Sequence, residues 1–297
     1  MKNNVVVVGW GRMGVTHTSI ISGLYPEKFD FEVVEPNWKI RLLTQRTLGY
    51  RIYRDLKDVD LADKIVLITT PPHTHKGLCN QATEGGARAI FVEKPFGLFD
   101  NRVPESNLIA VGYVLRFTEV AQKLKSIIQE EGCESISLDY ASHTLTKPPK
   151  GWRNSVHGGV LNEMGSHLID LLFYLLGNQD LEVSESQIQS VISDVDDIVR
   201  VRGMLGESSV ELNLNWVEHS CRKPVWSGRL VTREREVVFD QQSIEGGFKL
   251  SQVGYYVRGR DFSDQMRHFI EGDTSIRCDA TQANKVHDAI TKIKTAR

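Results

Sequence analysis

The segment Gly158-Gly159-Val160-Leu161-Asn162-Glu163-Met164-Gly165-Ser166-His167-Leu168-Ile169-Asp170 places Glu163, His167 and Asp170 at i, i+4 and i+7. On a helix that begins by residue 163, these three ionisable side chains share one stripe. The residues flanking the stripe from Leu168 to Leu176 are apolar, and its next position is Tyr174. A solvent face would be broader and would carry further charge. A narrow ionisable stripe on a mostly buried helix reads as the lining of a cleft, and a histidine one turn from a carboxylate accepts a proton near neutral pH. The competing reading is a structural helix whose charges satisfy one another.

Gly9-Trp10-Gly11-Arg12-Met13-Gly14 follows the apolar run Val5–Val8 and opens a helix. The first glycine permits the tight turn, the second lets backbone approach a pyrophosphate, and the third allows close helix–strand packing. The helix start offers unpaired N–H groups and the positive end of a dipole to phosphate. Glu35 ends the next strand, 21 residues after Gly14, where an acid accepts hydrogen bonds from a ribose and repels a 2′-phosphate. NAD is therefore the expected cofactor, with NADP left open by Lys39 and Arg41 nearby. Thr69-Thr70-Pro71-Pro72-His73-Thr74-His75 follows a further strand. Its two histidines have no third ligand close in sequence, so it reads as a rigid loop and helix start, and no metal is expected. Glu93-Lys94-Pro95 ends the fifth strand, which puts Lys94 where open α/β sheets bind ligands. A solvated loop lysine is the alternative there.

These residues need elements to hold them. Short apolar runs alternating with helical stretches predict strands at Val5–Val8, Phe31–Glu35, Arg51–Tyr53, Ile65–Thr69, Ala89–Val92 and Leu108–Gly112, the rhythm of a parallel α/β sheet. After a helix over Glu119–Glu131 the period changes to two. Ile136, Leu138 and Tyr140 alternate with polar residues, as do Val210, Leu212, Leu214 and Trp216. Further strands are predicted at Ile198–Leu205, Arg229–Arg233 and Glu236–Phe239, giving an antiparallel sheet with one covered face. Helices over Ser263–Glu271 and Thr281–Lys294 close the chain, the second with Asp279 and Gln282 as a capping box. The 297 residues predict two domains, 1–115 and 116–297, with the last helices free to return to the first.

Composition excludes several classes. Lys plus Arg (36) nearly balances Asp plus Glu (38), a net charge of −2 that gives no surface for nucleic acid or anionic membrane. Val5–Val8 is too short for a signal peptide, and the apolar stretch Leu168–Leu176 carries Asp170 and cannot span a bilayer. Cys79, Cys133, Cys221 and Cys278 lie far apart without a C-x-x-C pair, so a zinc ribbon or disulfide framework is not expected. Reduced thiols suit a cytoplasmic protein.

Taken together, Gly9–Gly14, Thr70-Pro71-Pro72 with His75, Glu93-Lys94-Pro95, Val111-Gly112-Tyr113 with Arg116-Phe117, Trp152-Arg153 and the Gly158–Asp170 block resemble the glucose–fructose oxidoreductase/inositol dehydrogenase (Gfo/Idh/MocA) family. The likeness in order and spacing ends at Gly177, with some similarity again in the final helices. The resemblance implies an α/β protein with an N-terminal Rossmann, doubly wound parallel sheet. Its C-terminal α/β domain would carry a large open, mainly antiparallel sheet that often joins subunits into a homo-oligomer. It implies cofactor contacts from Gly9, Gly11, Arg12, Met13, Gly14, Glu35, Thr70, Pro71, His75, Glu93 and Lys94. Lys94, His167 and Glu163 would form the catalytic set, and Arg116, Trp152, Arg153 and Asp170 would meet the substrate. The implied activity is NAD(P)-dependent hydride transfer at a hydroxyl or ketone of a sugar, cyclitol or nucleotide sugar. An imine or enone reductase is a variant, and a dinucleotide sensor without turnover is the alternative.

Two departures stand out. Glu163 is one methylene longer than the family's usual aspartate. Only the twelve residues Phe96–Asn107 separate Glu93-Lys94-Pro95 from the next strand, where a full crossover helix is usual. The surroundings of Lys94 are thus expected to be more open, or completed by another subunit.

Overall fold

Val5–Val8, Ile65–Ile68 and Ile90–Val92 are apolar at consecutive positions, as strands covered on both faces must be. In the computed structural model of the chain they form the centre of a seven-stranded sheet. The structure describes residues 3–96, 108–143, 145–155, 158–221, 223–245, 248–249 and 256–296. It divides into two units, Met1–Val114 with Arg258–Asn284, and Leu115–Val257 with Lys285–Arg297.

The first unit runs β1 (Asn3–Val8), α1 (Arg12–Leu24), β2 (Phe29–Val34), α2 (Trp38–Leu48), β3 (Arg51–Tyr53), β4 (Ile65–Ile68), α3 (His75–Glu84), β5 (Ala89–Val92) and β6 (Ile109–Val111). The second unit then supplies α4 (Glu119–Glu131), β7 (Ser135–Ala141), α5 (Ser166–Leu176), β8 (Leu181–Gln189), β9 (Ile198–Leu205), β10 (Ser208–Asn215), β11 (Val225–Val231), β12 (Glu236–Asp240), β13 (Ser243–Ile244) and β14 (Phe248–Lys249). The chain returns to the first unit through α6 (Tyr256–Glu271) and β15 (Cys278–Asp279) before α7 (Ala280–Thr295).

In the first sheet the order is β15-β6-β5-β4-β1-β2-β3, with β1 to β6 parallel and β15 antiparallel on β6. Val5, Val7, Leu67 and Phe91 point to one face, where Ile21 of α1 and Met266 and Phe269 of α6 complete a buried core. Val6, Val66 and Ile68 are equally buried on the other, and α3 packs on β4 and β5 through Cys79 and Ala82. The short strand β15 is new relative to the sequence reading; two residues carry no periodicity. The shortened crossover that the sequence suggested lies, beyond Phe96, outside the described residues.

The second sheet has the order β14-β13-β12-β11-β7-β10-β9-β8. Every pairing in it is antiparallel except β7 with β10. Val210, Leu212 and Leu214 lie opposite Ile136, Leu138 and Tyr140 on the buried face, against which α4 and α5 present their apolar sides. Besides β13 and β14, whose two residues each carry no periodicity, two strands differ from expectation. β11 occupies Val225–Val231 rather than Arg229–Arg233, because Trp226 and Leu230 face Tyr140 and Ile136 across the ladder, while Thr232 and Arg235 close a turn. The strand β8 was not foreseen: it is a polar edge strand with an irregularity between Val183 and Glu185, which breaks the alternation that would announce it.

Candidate active site

The glycine motif forms the tight connection the sequence requires. Gly9 has φ +93°, and a Cβ there would come within 2.9 Å of the Thr70 side chain. A Cβ on Gly14 would strike the Gly9 carbonyl oxygen at 2.2 Å, whereas Gly11 has open space beside it. Thr69 Oγ1 locks the loop by donating to the carbonyls of Val8 and Gly9, at 3.1 and 2.7 Å. The α1 helix starts at Arg12 with no side chain capping it, so no side-chain cap engages its first-turn amides, and the space beside Gly11 is open. Glu35 lies just past β2, nearly buried, with Oε2 accepting from Trp10 N (3.0 Å) and Oε1 from Asn37 N (2.8 Å). Open space beside Gly11, uncapped amides and an oriented carboxylate fit the pyrophosphate and ribose of a dinucleotide.

The structure separates the two cations near Glu35. Arg41 Nη1 donates to the carbonyls of Glu35 and Pro36, at 2.9 and 2.6 Å. Lys39 instead lies over the exposed Trp38 ring. His75 is buried, with Nε2 2.8 Å from the Thr70 carbonyl oxygen, and burial holds its pKa below the usual histidine value. It fixes the Thr70-Pro71 loop from below. Among the described residues no cluster of His, Cys, Asp and Glu could hold a metal ion. Lys94 is half-buried at the carboxyl end of β5, with its backbone N–H donating to Glu93 Oε2 at 3.3 Å.

In the second unit a π-helical turn, Leu161–Gly165, leads into α5. Two glycines make its start possible. A Cβ on Gly158 would strike the Arg153 carbonyl oxygen at 1.9 Å, and one on Gly159, at φ +93°, would strike Asp196 Oδ1 at 2.2 Å. Asp196 Oδ2 accepts from Leu161 N at 2.7 Å and so caps the turn. Burial raises the Asp196 pKa against the pull of Lys294. The sequence reading missed this residue; its only signal was the acidic pair before β9.

The stripe itself divides. Glu163 is partly exposed and accepts from Arg153 Nε at 3.0 and 3.2 Å, while the Arg153 guanidinium stacks on Trp152. His167 is buried in the first turn of α5. Asp170 is fully buried and receives Arg116 in a two-pronged pair, Nε to Oδ2 at 2.8 Å and Nη2 to Oδ1 at 2.6 Å. Arg116 also lies over the Tyr174 ring, and Tyr174 donates to Gln122 Oε1 at 3.1 Å. Arg116 and Asp170, read from the resemblance as substrate contacts, here spend their charges on each other.

Comparisons with known proteins agree with this architecture. Residues 3–105 match the family model GFO_IDH_MocA, described as "Oxidoreductase family, NAD-binding Rossmann fold". The Schizosaccharomyces pombe protein UNK4.17 is 30% identical over 148 residues, a stretch spanning 42% of this chain and 35% of that protein. Among solved structures, the WlbA dehydrogenase of Bordetella pertussis in complex with NADH and UDP-GlcNAcA superposes with a TM-score of 0.79 at 16% identity, covering 99% of this chain and 94% of that one. Levoglucosan dehydrogenase in complex with NADH and levoglucosan gives 0.78 at 18% identity, covering 99% and 97%. Residues 3–105 thus match the model of an oxidoreductase family with an NAD-binding Rossmann fold, and the chain as a whole shares the fold of these two dehydrogenases.

Proposed function

We propose that the protein is an NAD-dependent oxidoreductase acting on a hydroxyl or ketone of a carbohydrate-like small molecule, a sugar, cyclitol or nucleotide sugar. The observation that carries this reading is the fitted dinucleotide cradle in the unit that also bears Lys94 at a strand's carboxyl end. The backbone around Gly11 and the first turn of α1, with Arg12 and Met13, would hold the pyrophosphate, and Glu35 the ribose. Thr70 and Pro71 would border the dinucleotide, with His75 beneath them. The bound dinucleotide supplies the hydride acceptor or donor. Lys94 gives its ammonium to the substrate oxygen and polarises the carbon–oxygen bond. His167 takes the hydroxyl proton in oxidation and returns it in reduction. Glu163, held by Arg153, sets the charge beside the histidine, and Trp152 with Arg153 forms the exposed edge that meets the substrate.

The test is a panel of sugars, cyclitols and nucleotide sugars followed by nicotinamide absorbance. At least one should be oxidised by NAD. Lys94→Ala and His167→Ala should each lower turnover by about 100-fold or more, with NADH affinity in His167→Ala staying within about threefold of wild type. Tight NADH binding without turnover on any panel member would instead favour a dinucleotide sensor. We further propose a homo-oligomer joined through the second sheet.

A further inference from the structure

Two motifs of the first unit meet in one buried contact that the dinucleotide cradle does not require. His17 stands three residues past Gly14 on α1, and its ring is fully buried. His17 Nε2 lies 2.7 Å from Glu93 Oε1. Phe91 and Phe262 present their rings to the imidazole at 5.0 and 6.0 Å. Glu93 is itself nearly buried, and its second oxygen accepts the backbone N–H of Lys94 at 3.3 Å. Opposite it, Gly112 leaves room that a Cβ would take, coming within 3.3 Å of Glu93 Oε2.

A buried carboxylate is costly unless its oxygens are engaged. Glu93 divides its two between the dinucleotide helix and the peptide that carries Lys94. A purely packing role would be filled at lower cost by an apolar pair of similar volume. What the polar pair adds is direction: it fixes where the chain leaves β5.

We propose that His17 and Glu93 are positioning residues that latch the backbone of Lys94 to α1, so that the setting of the lysine follows the helix that holds the dinucleotide. The inference rests on the reading of Lys94 as the group that polarises the substrate oxygen. His17 acts through Glu93, and Glu93 through the Lys94 N–H.

The experiment compares His17→Phe, which keeps the ring volume and loses the hydrogen bond, with His17→Gln, which keeps a donor. Turnover in His17→Phe should fall by about tenfold or more, with NADH affinity changed by no more than about threefold, and His17→Gln should recover most of the loss. In a Lys94→Ala background, His17→Phe should cost less than about twofold further, because residues acting as one unit are not additive. A second readout needs no turnover. After reductive ¹³C-methylation, the Lys94 dimethylammonium resonance, assigned by its loss in Lys94→Arg, should move on NADH addition in wild type and His17→Gln. In His17→Phe it should start at a different shift and respond less. Equal losses in both backgrounds, or a His17→Phe resonance superposing on wild type with and without NADH, would overturn the latch. Should His17→Phe fail to fold, Glu93→Gln, which can engage only one of the two partners with an oxygen, carries the same comparisons. If no panel member turns over, the oxidoreductase reading fails while the resonance still decides the latch.

Discussion

A carboxylate that accepts two backbone amides has little freedom to withdraw from a phosphate placed beside it. Glu35 is held in this way by Trp10 N and Asn37 N. Arg41, the cation best placed to offset it, is already engaged by two carbonyls. NADH should therefore bind more tightly than NADPH by on the order of tenfold or more, about 1.4 kcal/mol. Calorimetry with both reduced cofactors checks this, and Glu35→Ala should bring the two affinities within about threefold. Equal affinities in the wild type would point to Lys39 as a phosphate ligand. At this scale the sequence was informative where spacing alone sets a role: Glu35 follows the glycine motif at the distance that ends β2. It was silent on partners such as His17 with Glu93, which lie 76 residues apart and meet only when α1 packs on the sheet. A separation of that kind leaves no periodic trace.

The element that carries His167 is fastened at both ends. Asp196 caps the π-helical turn that leads into it, and Lys125 Nζ reaches the carbonyls of Tyr174 and Leu175 near its last turn, at 2.6 and 2.9 Å. Between them the Arg116–Asp170 pair crosses to the turn before α4. Removing one partner of such a buried pair leaves a charge uncompensated. Asp170→Leu alone should thus destabilise the protein by about 3–5 kcal/mol, and Arg116→Met together with Asp170→Leu should restore much of the loss. Urea melts of the three variants check this; a double variant as unstable as the single one would show that the pair itself is indispensable. The i, i+4, i+7 stripe was legible as a helical pattern. The fate of its last member was not, because the helix period names a face without naming what covers it. Here the turn carrying Arg116 covers Asp170, so the stripe ends in the protein interior rather than in a cleft. The π-helical turn over Leu161–Gly165 likewise left no signal in residue type beyond the glycines before it.

Across the whole molecule, the alternation in the second half of the chain correctly announced a sheet with unlike faces, and packing decides which one is covered. Gly165 sits against Leu214, close enough that a Cβ there would come within 2.8 Å of Leu214 Cδ1. The apolar face is thus occupied by the chain's own helices. The other face is polar and partly exposed. It carries Asn213 on Asp139 at 2.9 Å, Arg202 on Glu211 at 3.6 Å and Arg229 on Glu236 at 2.9 Å. A partner using this face would meet charges already arranged in pairs, so the proposed interface would be polar and salt-sensitive. Light scattering at micromolar concentration should give a multiple of the 33.6 kDa chain mass. Arg229→Glu should shift that mass toward a single chain, since it sets like charges against Glu236. A wild-type mass equal to one chain would remove the interface and any site residue ascribed to a neighbour.

The order in which the first unit is completed matters for how the chain is made. Its edge strand β15 and the core residues Met266 and Phe269 lie beyond Leu115–Val257, the larger part of the second unit. On the ribosome, the glycine loop and the parallel strands emerge early, while Val5, Val7 and Phe91 must wait for α6 to cover them. The larger part of the second unit therefore emerges while the first is still open along one face.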